Sequence, residues 1–108
     1  MNERNVFVVY NDSRKDFSAA EKYGQLKDVF SSVGRVYHGD KLIEHARRVL
    51  RNWQPGDYLL LVGDPTLCGI CMSAVLEKEG EVEVLRWDRN NFEYVPLRLD
   101  FNYNHPQA

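Results

Sequence analysis

Residues 56 to 80 constrain the chain more than any other stretch. Tyr58-Leu59-Leu60-Leu61-Val62 is an uninterrupted apolar run, too short for most helices. It reads as a strand covered on both faces, as in the middle of an α/β sheet. Gly63-Asp64-Pro65 follows. Asp64 suits a helix N-cap, and Pro65 suits the first helical position, where its missing N–H costs nothing. A helix is expected from Pro65 to about Lys78, ended by Glu79-Gly80. Leu67, Cys68, Ile70, Cys71, Met72, Ala74, Val75 and Leu76 surround most of its circumference, so heavy burial is expected. Gly69, Ser73 and Ala74 are expected to allow close packing on the sheet.

The flanking segments fit the same architecture. Val6-Phe7-Val8-Val9-Tyr10 reads as a second strand buried on both faces, ended by Asn11-Asp12-Ser13. Phe17 to Phe30 has two readings. A helical stripe runs through Phe17, Ala20, Tyr23, Leu26, Val29 and Phe30, but Gly24 weakens its middle. The competing reading is a short helix to Tyr23, then a strand from Gln25 to Phe30. Arg35-Val36-Tyr37-His38 is a candidate brief strand. Asp40 to Trp53 is the clearest helix, with Leu42, Ile43, Ala46, Val49, Leu50 and Trp53 on one apolar face and Asp40 as N-cap. Gln54-Pro55-Gly56 stops it.

The last third alternates at period two. Val82 and Val84 share one parity, Leu85 and Trp87 the other, which predicts a bulge near Val84-Leu85. A second slip is expected at Tyr94-Val95. Pro96 fits an edge strand or a bulge. Two such strands around Arg89-Asn90-Asn91 read as an antiparallel hairpin. The whole is a single α/β domain over residues 1–101, a mixed sheet of four to five strands with two to three helices and a C-terminal antiparallel hairpin. Residues 102–108 read as a frayed tail.

Composition narrows the function classes. The 108 residues are 44% apolar and 28% charged, a globular balance with one core's worth of chain. The net charge of −2 disfavours a protein held to nucleic acid mainly by phosphate contacts. No apolar run approaches the roughly 20 residues of a membrane span, and Met1 to Asn5 lacks a signal-peptide layout. A cytoplasmic location with both cysteines reduced is expected.

Few residue sets suggest chemistry. Cys68-Gly69-Ile70-Cys71 opens a helix after a strand, where dithiol oxidoreductases stabilise a low-pKa thiolate. The pattern resembles the thioredoxin family locally, with Val95-Pro96 similar to the segment that carries its cis-proline. It departs in having Thr66-Leu67 before the first cysteine and in placing the pair past mid-chain. Two packing residues on a buried helix is the alternative reading. Gly63-Asp64-Pro65-Thr66 lies where α/β sheets bind ligands, but the Walker and dinucleotide glycine patterns are absent, and capping alone explains Asp-Pro. Lys41, His45, Arg47, Arg48 and Arg51 form a basic helix face that reads as a nucleic-acid or acidic-partner footprint or as a solvated surface. Trp87 and Arg89 are candidate interface anchors. His38, His45 and His105 have no metal-ligand spacing with the cysteines, and no cofactor is called for.

Three stretches carry a resemblance: Asp57-Tyr58-Leu59-Leu60-Leu61-Val62-Gly63-Asp64-Pro65, Leu85-Arg86-Trp87-Asp88-Arg89 and Tyr94-Val95-Pro96-Leu97-Arg98-Leu99-Asp100. Here the chain resembles small uncharacterised proteins of tailed bacteriophages. The resemblance implies that Cys68 and Cys71 are packing residues, and it brings no activity with it. It leads to the expectation of a non-enzymatic accessory protein in the host cytoplasm that binds a host or phage protein, the hairpin edge offering a template for strand addition. A thiol–disulfide oxidoreductase using Cys68 and Cys71, and a nucleic-acid binder using Arg47, Arg48 and Arg51, are the alternatives.

Overall fold

The apolar run from Tyr58 to Val62 begins with a strand, Tyr58–Leu60, at the centre of a five-stranded sheet. The computed structural model describes residues 3–12, 14–31 and 38–102. In chain order these hold β1 (Asn5–Tyr10), a 3-10 helix η1 (Ser18–Tyr23), β2 (Gln25–Phe30) and α1 (Gly39–Val49). A short 3-10 turn η2 (Leu50–Asn52), β3 (Tyr58–Leu60), α2 (Pro65–Glu79), β4 (Glu81–Asp88) and β5 (Glu93–Asp100) complete the order. The sheet order is β2-β1-β3-β4-β5, parallel through β4, with β5 antiparallel. Of the two readings of residues 17 to 30, short helix followed by strand is the one adopted.

The layering follows from handedness. The chain moves one way from β1 to β2 and the other way from β2 to β3 and on to β4. Right-handed crossovers then require η1 on one face and both α-helices on the other. Two cores result. Phe7, Val9, Leu59, Val82 and Val84 meet Ala46, Leu50, Trp53, Leu67, Cys71 and Val75 on the helical side. Val6, Val8, Leu60 and Leu85 meet Phe17, Ala20 and Tyr94 on the η1 side. Coverage on both faces is why β1 and β3 are apolar without alternation.

The same fact removes both expected bulges. Register runs unbroken from Glu81↔Asp100 to Asp88↔Glu93, through Val84, Leu85, Tyr94 and Val95. The parity change at Val84-Leu85 marks a switch from residues packed under the helices to one packed under η1. A backbone slip is not needed to explain it.

The helices depart from expectation in three places. His38, not Asp40, is the N-cap of α1, and Asp40 lies in the first turn, where negative charge is favoured. Ile43 is exposed, at the margin of the stripe formed by Leu42, Ala46, Val49 and Leu50. His45 is not on the open basic face: its Nε2 lies 2.6 Å from the Val29 carbonyl oxygen, and its ring packs on Phe30. On α2, Asp64 caps as expected, accepting from the Thr66 N–H at 2.7 Å, and Gly80 is the C-cap. The fully covered stripe is narrower than expected: Leu67, Cys71, Ala74 and Val75. Gly69 and Ser73 face outward, and a Cβ at Gly69 would meet nothing within 4 Å.

Between the helices, Gln54-Pro55-Gly56-Asp57 is a β-turn closed by Asp57 N–H to Gln54 carbonyl at 3.0 Å. Gly56 at φ 99° supplies the positive φ this turn needs. The buried Asp57 carboxylate then accepts from the Asn5 and Gln54 N–H groups, each at 2.9 Å, and pins the start of β1 to the turn. At the end of β5, Phe101 donates to the Gly80 carbonyl and Asn102 N–H is held by Asp100, so Asn102 belongs to an ordered turn. Ser13, residues 35–37 of the suggested brief strand, His105 and residues 103–108 of the expected tail lie outside the described residues.

Candidate functional site

In an open α/β sheet, ligands bind beyond the carboxyl ends of the strands where strand order reverses. Here that point lies between β1 and β3. The chain leaving β1 turns toward η1, and the chain leaving β3 turns to α2 on the opposite face. Gly63 (φ 98°) makes the second turn possible, because a Cβ there would come within 2.7 Å of the Tyr10 Cβ. Beside the reversal point, over the ends of β3 and β4, lies a cavity of about 490 Å3 on the η1 side, bounded by Lys15 to Ala19, by Leu60 to Val62 and by Trp87 and Tyr94. Trp87 and Tyr94 pack edge to face with centroids 4.9 Å apart. Burial, and then the charge of Asp16, raise the Tyr94 phenol above its ordinary pKa. The Asp16 carboxyl is held low by the Ser18 N–H that donates to it at 2.9 Å.

Trp87 has a second neighbourhood. A groove of about 300 Å3 on its other side is lined by Arg86, Asp88, Arg89, Val95, Pro96 and Leu97. Here the helical layer stops: α2 packs over β1 and β4 but leaves Val95 and Leu97 bare, each 41% exposed. Trp87 (47%) and Phe92 (76%) extend the apolar surface around the hairpin tip. Asp88 shapes that tip by accepting from Asn90 N–H and from the Asn91 side chain, both at 2.9 Å, and these bonds hold its carboxyl below the usual range. Arg86 and Arg89 have no ion-pair partner among the described residues, whereas Arg14, Arg47, Arg48 and Arg98 do.

The β5 edge itself is a poor template for strand addition. Pro96 brings no N–H, and the Tyr94 carbonyl already accepts from the Tyr23 hydroxyl at 3.0 Å.

The other candidates sit in quieter surroundings. Cys71 is fully buried, and burial pushes its thiol up to about 12. Burial, followed by the Asp64 carboxylate, also raises Cys68, whose thiol donates to the Val62 carbonyl. Both shifts oppose the thiolate a dithiol nucleophile needs. Pro96 follows a trans peptide. On α1, Arg47 grips Glu77 of α2 at 2.7 and 3.1 Å, and Arg48 pairs with Glu44 at 3.3 Å. The Arg51 carbonyl accepts from Lys78 Nζ, which closes the end of the helix. Carboxylates therefore interleave with this basic face. Among the described residues no three His, Cys, Asp or Glu side chains come together as a metal-binding group. No helix among them is long and apolar enough to cross a membrane.

Family comparison covers nearly all of this architecture. The profile described as "Phage Pam3 gp32-like protein" matches residues 4–101, from just before β1 to the turn after β5. The chain belongs to that phage family. No curated protein matches it. No solved structure matches it either.

In this gp32-like chain, Trp87 and Arg89 share one groove, while Arg47, Arg48 and Arg51 lie on the helical layer, on α1 and η2. Sequence reasoning missed Asp16, Phe17 and Tyr94 as walls of a cavity, and Val95 and Leu97 as open surface. The only signal for the last two was Pro96 between them, which marks an edge.

Proposed function

We propose that this phage protein acts by binding a protein partner, host- or phage-encoded, through its β4–β5 hairpin. One observation carries the reading. Of the six large apolar side chains exposed among the described residues, five lie on the hairpin or directly after it: Trp87, Phe92, Val95, Leu97 and Phe101. Scattered apolar residues are normal on a monomer, but three of these five, Trp87, Val95 and Leu97, line one groove, and such clustering marks an interaction site. Trp flanked by arginines is the composition of interface anchors. The open charges of Arg86 and Arg89 favour a partner surface that is apolar with acidic neighbours. The blunted edge favours recognition by side chains over strand addition.

The test compares the wild-type chain with Val95→Lys/Leu97→Lys as bait in lysate of phage-infected cells. A defined protein retained by the wild type and lost by the variant, at unchanged thermal midpoint, is the expected result. Retention of the same protein by both baits, or of none by either, refutes the reading. Arg86→Glu/Arg89→Glu is expected to weaken capture and its salt dependence together.

A further inference from the structure

The cavity between η1 and the hairpin shares only Trp87 with the groove of the partner-binding reading. We propose that it binds a small planar aromatic molecule, uncharged overall and carrying a hydrogen-bonding group. Its place is over the ends of β3 and β4, beside the reversal point of the sheet. Its volume, about 490 Å3, lies within the span of small-molecule sites. The lining matches such a ligand in kind. Phe17, Leu60 and Val62 supply apolar wall, and the half-exposed Trp87 stands edge to face with Tyr94. Two rings so disposed offer an edge and a face to a third. The Tyr94 hydroxyl has no hydrogen-bond partner among the described residues, so it remains available to a ligand donor or acceptor. Lys15 and Asp16 sit side by side in the lining with opposite charges. The lining therefore holds one charge of each sign and carries no net charge to draw in an ion, which leaves a neutral occupant as the better match.

Three probes with one ring and different charges test this on the full chain: phenol, benzoate and benzylamine, followed by amide NMR. Phenol is expected to shift the Leu61 and Val62 amides and the Trp87 indole N–H saturably, with a Kd of about 1 mM. Both charged probes are expected to bind at least about tenfold more weakly. Ala19→Phe, which fills the cavity from the exposed rim, is expected to abolish the shifts, and Tyr94→Phe to weaken phenol several-fold. No saturable shift from any probe at about 10 mM overturns the site. So do shifts that survive Ala19→Phe, and a charged probe that binds more tightly overturns the neutral class. Ala19 lies outside the hairpin, so capture of a protein partner is expected to survive this substitution, which keeps the two tests separate.

Discussion

Val84 and Leu97 face each other across β4 and β5, on the same side of the same sheet. Val84 is 1% exposed and Leu97 is 41% exposed. The strand geometry does not distinguish them. The helical layer does, because α2 lies over β4 and ends short of the next strand. Apolar alternation specifies which face a residue occupies, but burial needs a second layer above that face. In the covered region several candidate groups are sealed or paired: Cys71 under apolar neighbours, Arg47 by Glu77, Asp57 by two N–H groups. Beyond that layer, on the same face, Arg86, Val95 and Leu97 have no such cover.

That contrast can be broken at several points. Leu59→Ala, in the centre of the covered region, is expected to lower stability by about 3 kcal/mol in urea unfolding. Equal loss in Leu97→Ala, expected to fall under about 1 kcal/mol, would erase the distinction between the regions. Asp57→Ala strands two backbone donors and is expected to lose about 2 kcal/mol in the same assay. Asp57→Asn, which keeps one acceptor oxygen, is expected to recover part of it.

The thiols give a pH signature. The Cys71 thiol is raised from 9.0 to about 12 in the native state. Above about pH 9 the unfolded chain loses this proton while the folded chain keeps it, so the unfolded state binds fewer protons. The thiol's contribution is therefore whole below pH 9 and declines as pH rises toward 12, by about 1.4 kcal/mol per unit. Thermal midpoints of the wild type are expected to fall more steeply between pH 9 and 10.5 than those of Cys71→Ala, which lacks this titration. In the native state at pH 8, Cys71 is expected to resist alkylation for as long as the core stays closed. Labelling as fast as that of a free thiol would open the covered region and revive a redox reading.

The smallest effect lies on the outer face of α2. Gly69→Ala adds a methyl group to open space in a helix and is expected to stabilise by about 0.5–1 kcal/mol. A loss there would mean that this face is covered in solution, and that α2, too, carries a docking surface.

Local chemistry is legible in the residues themselves. A cap is made by a residue and its near neighbours, so Asp64-Pro65 and Gly80 announce the limits of α2, and Pro55-Gly56 announces the turn. Five-residue apolar runs announce strands covered on both faces, because only such strands tolerate apolar residues at every position. Other features depend on which elements lie over one another. The parity change at Val84-Leu85 resembles a bulge, because a one-dimensional pattern cannot tell a slipped register from a change of covered face. His45 belongs to a basic helix face by its spacing, yet the end of β2 lies beneath it and takes its ring. The cavity joins residues near positions 16, 61, 87 and 94, which only the sheet order brings together. The open groove exists because the helical layer packs over β1 and β4 and leaves Val95 and Leu97 of β5 bare. Short-range hydrogen bonding and periodicity determined the pieces of this protein, while the extent of the second layer, a product of tertiary packing, decided which of its apolar residues remain available to bind.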